Sequence, residues 1–231
     1  MNLTENFPPG FGLRLSKSRY HTGVQGKNKR NLGLTHSLIY CLNPSWVKTY
    51  SSFFISPISN PEQEANAAAS ILWDNAFSES TRVPFKVPDK VTWGQVFATL
   101  NMKWRKEVKS KFDLSERAML FLGHKLFRGS AFNLQSVVTW NMFNRESLPN
   151  RNFTFWQWFE SVMSLMKTKY CIKHWNDRAI VGFISKNDCE SILLRPECGD
   201  GAFMMRFSDS ELGGLTVSFT YGIRTIIIAL F

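Results

Sequence analysis

Hydrophobic positions along the chain change period more than once. Trp93, Val96, Phe97, Leu100 and Trp104 recur at spacings of three and four, the repeat of one amphipathic helix face. A second helix is predicted beyond Asp113. Asp113 and Glu116 would form its capping box, Met119, Leu120, Phe121, Leu122 and Leu126 its inner side, and Gly129 its approximate end. A third opens on a Thr154–Gln157 box, and Phe155, Trp158, Phe159, Val162, Met163 and Met166 make the clearest apolar stripe in the chain. That stripe reads as core, not as a ligand box.

On either side the period shortens. Residues 47–58 are β-branched and aromatic and predict one or two strands, with Pro57 marking an edge or bulge. Residues 59–64 read as a polar turn, after which a helix opens over 67–73 and runs towards Phe77. Pro84 and Pro88 mark a linker. In the last third, 180–184 reads as a short strand, and Ser185 with Asp188 caps a helix carrying Cys189, Ile192 and Leu193. Residues 202–207 form another strand. In the next, Leu215, Val217 and Phe219 alternate with Thr216, Ser218 and Thr220. Strand, helix and antiparallel hairpin in that order predict an α+β module, and no internal repeat is present.

Composition narrows the class. With 231 residues, 44% hydrophobic and 14% aromatic, the chain can build one large domain or two to three small ones around a substantial core. A net charge of +10 favours an anionic partner, whether nucleic acid, phosphoprotein or membrane surface. Much of that charge lies in residues 1–44, where Arg14, Lys17, Arg19, Lys27, Lys29 and Arg30 face Glu5 alone. No period persists there. The segment reads as basic and disordered, a tail or a nucleic-acid arm.

Cys41, Cys171, Cys189 and Cys198 form no CxxC pair, which predicts reduced thiols in the cytosol or nucleus. The first residues lack a basic region followed by an apolar one, so no secretory signal is expected, and the apolar run at 223–231 is too short to span a bilayer. The four histidines are scattered, and no Ser-His-Asp, Cys-His, phosphate-loop or paired-carboxylate constellation is evident. An enzyme is therefore not expected, nor a cofactor or metal site.

One residue does suggest chemistry. Arg206 interrupts the apolar run Phe203-Met204-Met205-Arg206-Phe207, where an unpaired charge is costly. Its guanidinium, the hydroxyls of Ser208 and Ser210, inward N–H groups of a turn between them, and Lys186 at the preceding helix start would together suit a dianionic phosphate. The residues alone equally allow an arginine paired with Asp209 or Glu211.

The stretches "WNDRAIVGFISKNDCESILL" and "GAFMMRFSDSELGGLTVSF" resemble the start of the SH2 domain of STAT proteins, the signal transducers and activators of transcription. Upstream, "ASILWDNAFSESTRVPFKVPDKVTWGQVFATLNMKWRKEV" and "FNRESLPNRNFTFWQWFESVM" are similar to the end of the STAT DNA-binding domain and to the STAT linker domain. The likeness runs over about 46–220, and its motifs keep their order and spacing.

The resemblance implies an α+β, multidomain fragment. Its parts would be an unassigned basic segment (1–44), a β-rich, immunoglobulin-like DNA-binding remnant (45–88), an all-helical linker domain (89–170), an incomplete SH2 domain (171–220) and a divergent apolar tail (221–231). It places the phosphotyrosine pocket on Arg206, Lys186, Ser208, Asp209 and Ser210. It places a DNA contact on Asn60, whose amide suits a base edge, although a plain turn asparagine before Pro61 fits the same residues. The implied protein is a signal transducer and transcription factor of the cytoplasm and nucleus. It would bind phosphotyrosine peptides and DNA, with homodimerisation a family property. Because sustained heptads are missing and 221–231 departs from the family pattern, a truncated, dominant-negative or non-functional docking fragment is the alternative.

Overall fold

The computed structural model describes residues 61–79 and 87–221, together with the backbone of strands at 34–36, 39–41, 47–49, 53–55 and 224–230. Two compact units result, divided at Pro61. In the first, β1 (Leu34–His36), β2 (Ile39–Cys41), β3 (Val47–Thr49) and β4 (Phe53–Ile55) form two antiparallel pairs, β2 with β3 and β1 with β4. Two of these strands fall inside 1–44, which the sequence pattern assigned to disorder, because three-residue strands are too short to show a period. Among the described residues these are two separate two-stranded pairs, which by themselves do not show an immunoglobulin-like fold. Asn60 lies outside the described residues.

The second unit opens with α1 (Pro61–Phe77), which starts earlier than the polar composition of 59–64 predicts. Proline at a first helical position has its φ preset and loses no hydrogen bond, so Pro61 begins the helix where a turn was expected. Ala69 and Trp73 of α1 are buried, Trp73 Nε1 donates to the Pro88 carbonyl (2.8 Å), and Trp156 Nε1 donates to the Ala65 carbonyl (2.7 Å). Helix α1 thus packs into the helical module that follows.

That module contains β5 (Lys90–Thr92), α2 (Trp93–Val108), α3 (Glu116–Leu126), β6 (Val137–Thr139), α4 (Trp140–Asn144), α5 (Phe155–Met166) and α6 (Lys169–Asn176). The all-helical expectation is corrected by the antiparallel β5–β6 ladder. Both strands end in Val-Thr with a tryptophan following, and in each the threonine is at once the last extended residue and the N-cap of the helix that the tryptophan opens. A β-branched pair feeding a cap makes a strand too short to be legible beside the helices. The predicted Asp113 box is also corrected. Ser115 caps α3 by accepting from Ala118 N, Asp113 pairs instead with Arg105 (3.2 Å), and Leu120 stays 45% exposed. The Thr154–Gln157 box forms as expected on α5, and Thr92–Gln95 forms an unforeseen second box on α2.

The core is largely aromatic. Trp93, Trp104, Trp156, Trp158, Phe143, Phe155 and Phe159 are fully buried, and the cluster continues without a break into Phe183 and Phe207 of the next module. Trp104 meets Trp175 at 5.0 Å and Phe183 at 5.1 Å, and Phe183 meets Phe207 at 4.8 Å, all edge-on as ring quadrupoles favour.

The last module comprises β7 (Ile180–Gly182), α7 (Lys186–Leu193), β8 (Phe203–Phe207), β9 (Leu215–Tyr221) and β10 (Arg224–Leu230). Its sheet order is β10-β9-β8-β7, with β7 parallel to β8 and the other pairs antiparallel. The residues of the divergent tail therefore do not leave β9 with an open edge. Strand β10 pairs along all of β9, from Arg224 opposite Tyr221 to Leu230 opposite Leu215. The intervening length of two residues is that of the shortest common hairpin. On β9 the hydroxyl side is the covered one: Thr216, Ser218 and Thr220 are buried, while Leu215, Val217 and Phe219 are only partly covered. Among the described residues no helix is long and apolar enough to cross a membrane.

Candidate functional site

Arg206 lies on the same β8 face as Met204, the face that carries α7 and its small cluster of Ile184, Cys189 and Leu193. The arginine is only 6% exposed and its Nε has no hydrogen-bond partner. Nη1 donates to the Asp209 carboxylate at 3.0 Å and, more weakly, to the Phe207 carbonyl at 3.3 Å. A buried guanidinium with an unmet donor carries an energetic penalty that a second anion would relieve.

The loop after β8 is held in place by its own hydroxyl. Ser208 Oγ accepts from the backbone N–H of Ser210 (3.3 Å) and Glu211 (3.2 Å), and Ser208 N donates to the Gly214 carbonyl (2.8 Å). Ser210 Oγ lies 3.4 Å from Ser208 Oγ. The two serine hydroxyls thus sit together in the loop that follows Arg206. Lys186, in contrast, is exposed in the first turn of α7, with Glu190 as its acid neighbour at 3.9 Å.

The structure gives Asp209 a specific place. Its Oδ2 meets Arg206 and its Oδ1 meets Lys125 Nζ at 2.7 Å, so one carboxylate bridges β8 and helix α3. Arg151 Nε adds a bond to the Asp209 carbonyl (3.0 Å), and the buried indole of Trp158 donates to the Ser208 carbonyl (2.8 Å). Lys125 also stands 4.4 Å over the Trp158 ring. Burial pulls the Lys125 ammonium below the usual lysine range, and the Asp209 carboxylate works against that pull. Lys125, Arg151 and Trp158 went unforeseen, since each comes from the helical module and reaches the loop only through the fold.

A cavity of about 320 Å³ opens on the α3 side of Asp209, between Lys125 of α3, Arg128 just beyond that helix, Leu148, Arg151 and the Ser185 cap of α7. Arg206 does not line it. Among the described residues no group of three His, Cys, Asp or Glu side chains could hold a metal ion.

Comparison with known proteins accounts for this arrangement. Residues 80–159 match the family model for the signal transducer and activator of transcription linker domain, and residues 180–226 match that for the SH2 domain. A helical linker joined through a common core to an SH2 sheet is thus the class of protein that the fold and its buried strand arginine define. The chain belongs to the STAT family. It is 46% identical over 214 residues to human signal transducer and activator of transcription 6, a match covering 89% of this chain and 25% of that relative. The chain therefore spans about a quarter of the relative's length. Its likeness also exceeds the 46–220 stretch read from motifs, for the SH2 match runs to 226, inside β10. Within that family assignment, residues 180–226 form the SH2 module.

Proposed function

We propose that the SH2 module binds phosphotyrosine on a partner protein, with Arg206 as the principal phosphate ligand. The observation that carries this is the buried Arg206 guanidinium, whose Nε lacks a partner and whose Nη1 is met by a carboxylate already shared with Lys125. A phosphate entering here would satisfy Nε and replace Asp209 Oδ2 at Nη1, while Asp209 keeps its bond to Lys125. Ser208 and Ser210 add their hydroxyls as donors at the loop. Lys186 swings in from the helix start, leaving the long 3.9 Å contact of its exposed side chain with Glu190. Asp209 then serves as the internal anion that the phosphate displaces at Arg206.

Titration of the chain with a labelled phosphotyrosyl peptide, read by fluorescence anisotropy, tests the reading. Arg206→Ala is expected to weaken binding at least thirtyfold, on the order of 2 kcal/mol for charge-assisted hydrogen bonds. Equal binding by the two proteins would overturn it.

We further propose that the protein to which this chain corresponds works as a phosphotyrosine-directed transcription factor of the cytoplasm and nucleus, forming dimers and contacting DNA through Asn60. Membership of the STAT family and the net charge of +10 support this. A gel-shift titration checks the DNA arm: Asn60→Ala should weaken binding to the preferred site by roughly tenfold, and an unchanged shift would remove Asn60 from that role.

A further inference from the structure

The cavity beside Asp209 has a charge balance of its own. Three basic side chains line it, Lys125, Arg128 and Arg151, against the single carboxylate of Asp209. Lys125 is committed to Asp209, and Arg128 to Glu146 at 2.7 Å. Arg151 has no carboxylate within 4.0 Å among the described residues; its guanidinium donates to the carbonyls of Asp209 and Asn150. Phe121, Leu148 and Pro149 supply apolar walls, which strengthen any ion pair formed between them. At about 320 Å³ the space admits a whole acidic side chain.

We infer that this cavity is a second anion subsite, which takes an aspartate or glutamate side chain flanking the phosphotyrosine of the bound peptide, with Arg151 as its main ligand. The inference rests on the phosphotyrosine reading of Arg206. Geometry ties the two sites together. Asp209 is their shared wall, with Oδ2 on the Arg206 side and Oδ1 on the Lys125 side. An extended peptide advances roughly 3.3 Å per residue, so a phosphotyrosine at Arg206 brings a side chain one or two residues away to the cavity mouth. Entry of the phosphate also frees Asp209 from Arg206, leaving its carboxylate to Lys125 and the Arg151 guanidinium to the incoming acid.

The test compares two phosphotyrosyl peptides by anisotropy on the full chain at constant ionic strength. One carries alanines on both sides of the phosphotyrosine, the other aspartates or glutamates within two residues on both sides. The acid-flanked peptide should bind about fivefold more tightly, as befits a partly exposed ion pair. In Arg151→Gln the ratio of the two affinities should fall to near one, and Arg151→Lys should restore part of it. Equal binding of the two peptides by the unaltered chain, or a ratio unmoved by Arg151→Gln, overturns the subsite while leaving the phosphotyrosine reading intact. Failure of the alanine-flanked peptide to bind, or its retention by Arg206→Ala, sinks that reading and this inference with it.

Discussion

Helix α5 and strand β9 each alternate apolar and polar positions, and they bury opposite halves of the pattern. Helix α5 buries seven residues, all apolar, against a continuous aromatic cluster. Strand β9 buries Thr216, Ser218 and Thr220 and leaves Leu215, Val217 and Phe219 half covered. The difference lies in the neighbours. The helical module offers α5 a deep set of indoles and phenyl rings. On the α7 side the sheet meets, among the described residues, only Ile184, Cys189 and Leu193 as fully buried apolar partners. The apolar anchors of the sheet, Ile180, Phe183 and Phe207, belong to the linker's cluster. Periodicity identifies which residues share a face, and the packing partner decides which face is covered.

If the sheet draws its stability from the linker core, the largest loss should come from the ring that joins them. Trp104 contacts Phe159 within the helices and Trp175, Phe183 and Phe207 at the junction. Trp104→Ala is expected to cost about 3–5 kcal/mol in urea unfolding. Hydrogen exchange should show β8 losing protection along with α5. Protection retained in β8 while α5 loses it would break the comparison, by showing that the sheet stands on its own.

A smaller effect is expected where the two modules touch through backbone. Gly182 has φ of +73°, and a Cβ there would lie 2.6 Å from a Phe207 ring carbon and 2.8 Å from one of Trp175. Both the left-handed conformation and the contact penalise a side chain. Gly182→Ala should cost about 2–3 kcal/mol and should weaken phosphopeptide binding through displacement of β8. A melting temperature equal to that of the unaltered chain would show that this junction yields more easily than the ring packing implies.

What the sequence made legible follows the same division. The Thr154–Gln157 box and the α5 stripe depend on residues within a few turns of one another, and both formed. Arg206 stood out because a charge within an apolar strand needs a reason, and its burial beside Ser208 and Ser210 supplies the setting for one. Lys125, Arg151 and Trp158 reach the loop across separations of 84, 58 and 50 residues, which no local pattern encodes. The pairing of Asp209 with Arg206 was among the arrangements the residues allowed, and it formed; the second partner, Lys125, was hidden by sequence distance. The β5–β6 ladder was hidden by length, and β10 because its isoleucines could serve as tail or as strand equally well.

Ser218 offers the finest test, since it lies at the centre of the face where β9 departs from α5. It is fully buried, and its hydroxyl has no hydrogen-bond partner. Its neighbour Thr220, in contrast, bonds the Gly199 carbonyl at 3.0 Å. An unmet buried hydroxyl has lost its water without compensation, so its removal should not destabilise the fold. Ser218→Ala is expected to raise stability by about 0.5–1 kcal/mol, or roughly 1–4 °C in melting temperature for a domain of this size. Thr220→Val, which deletes a satisfied hydroxyl but keeps the shape, should lower it by a similar amount. If both substitutions destabilise alike, the polar face of β9 is held by hydrogen bonding throughout, and its contrast with α5 is one of chemistry rather than of packing depth. If Ser218→Ala alone stabilises, the hydroxyl there is tolerated because the linker core, on the other face, already fixes the strand.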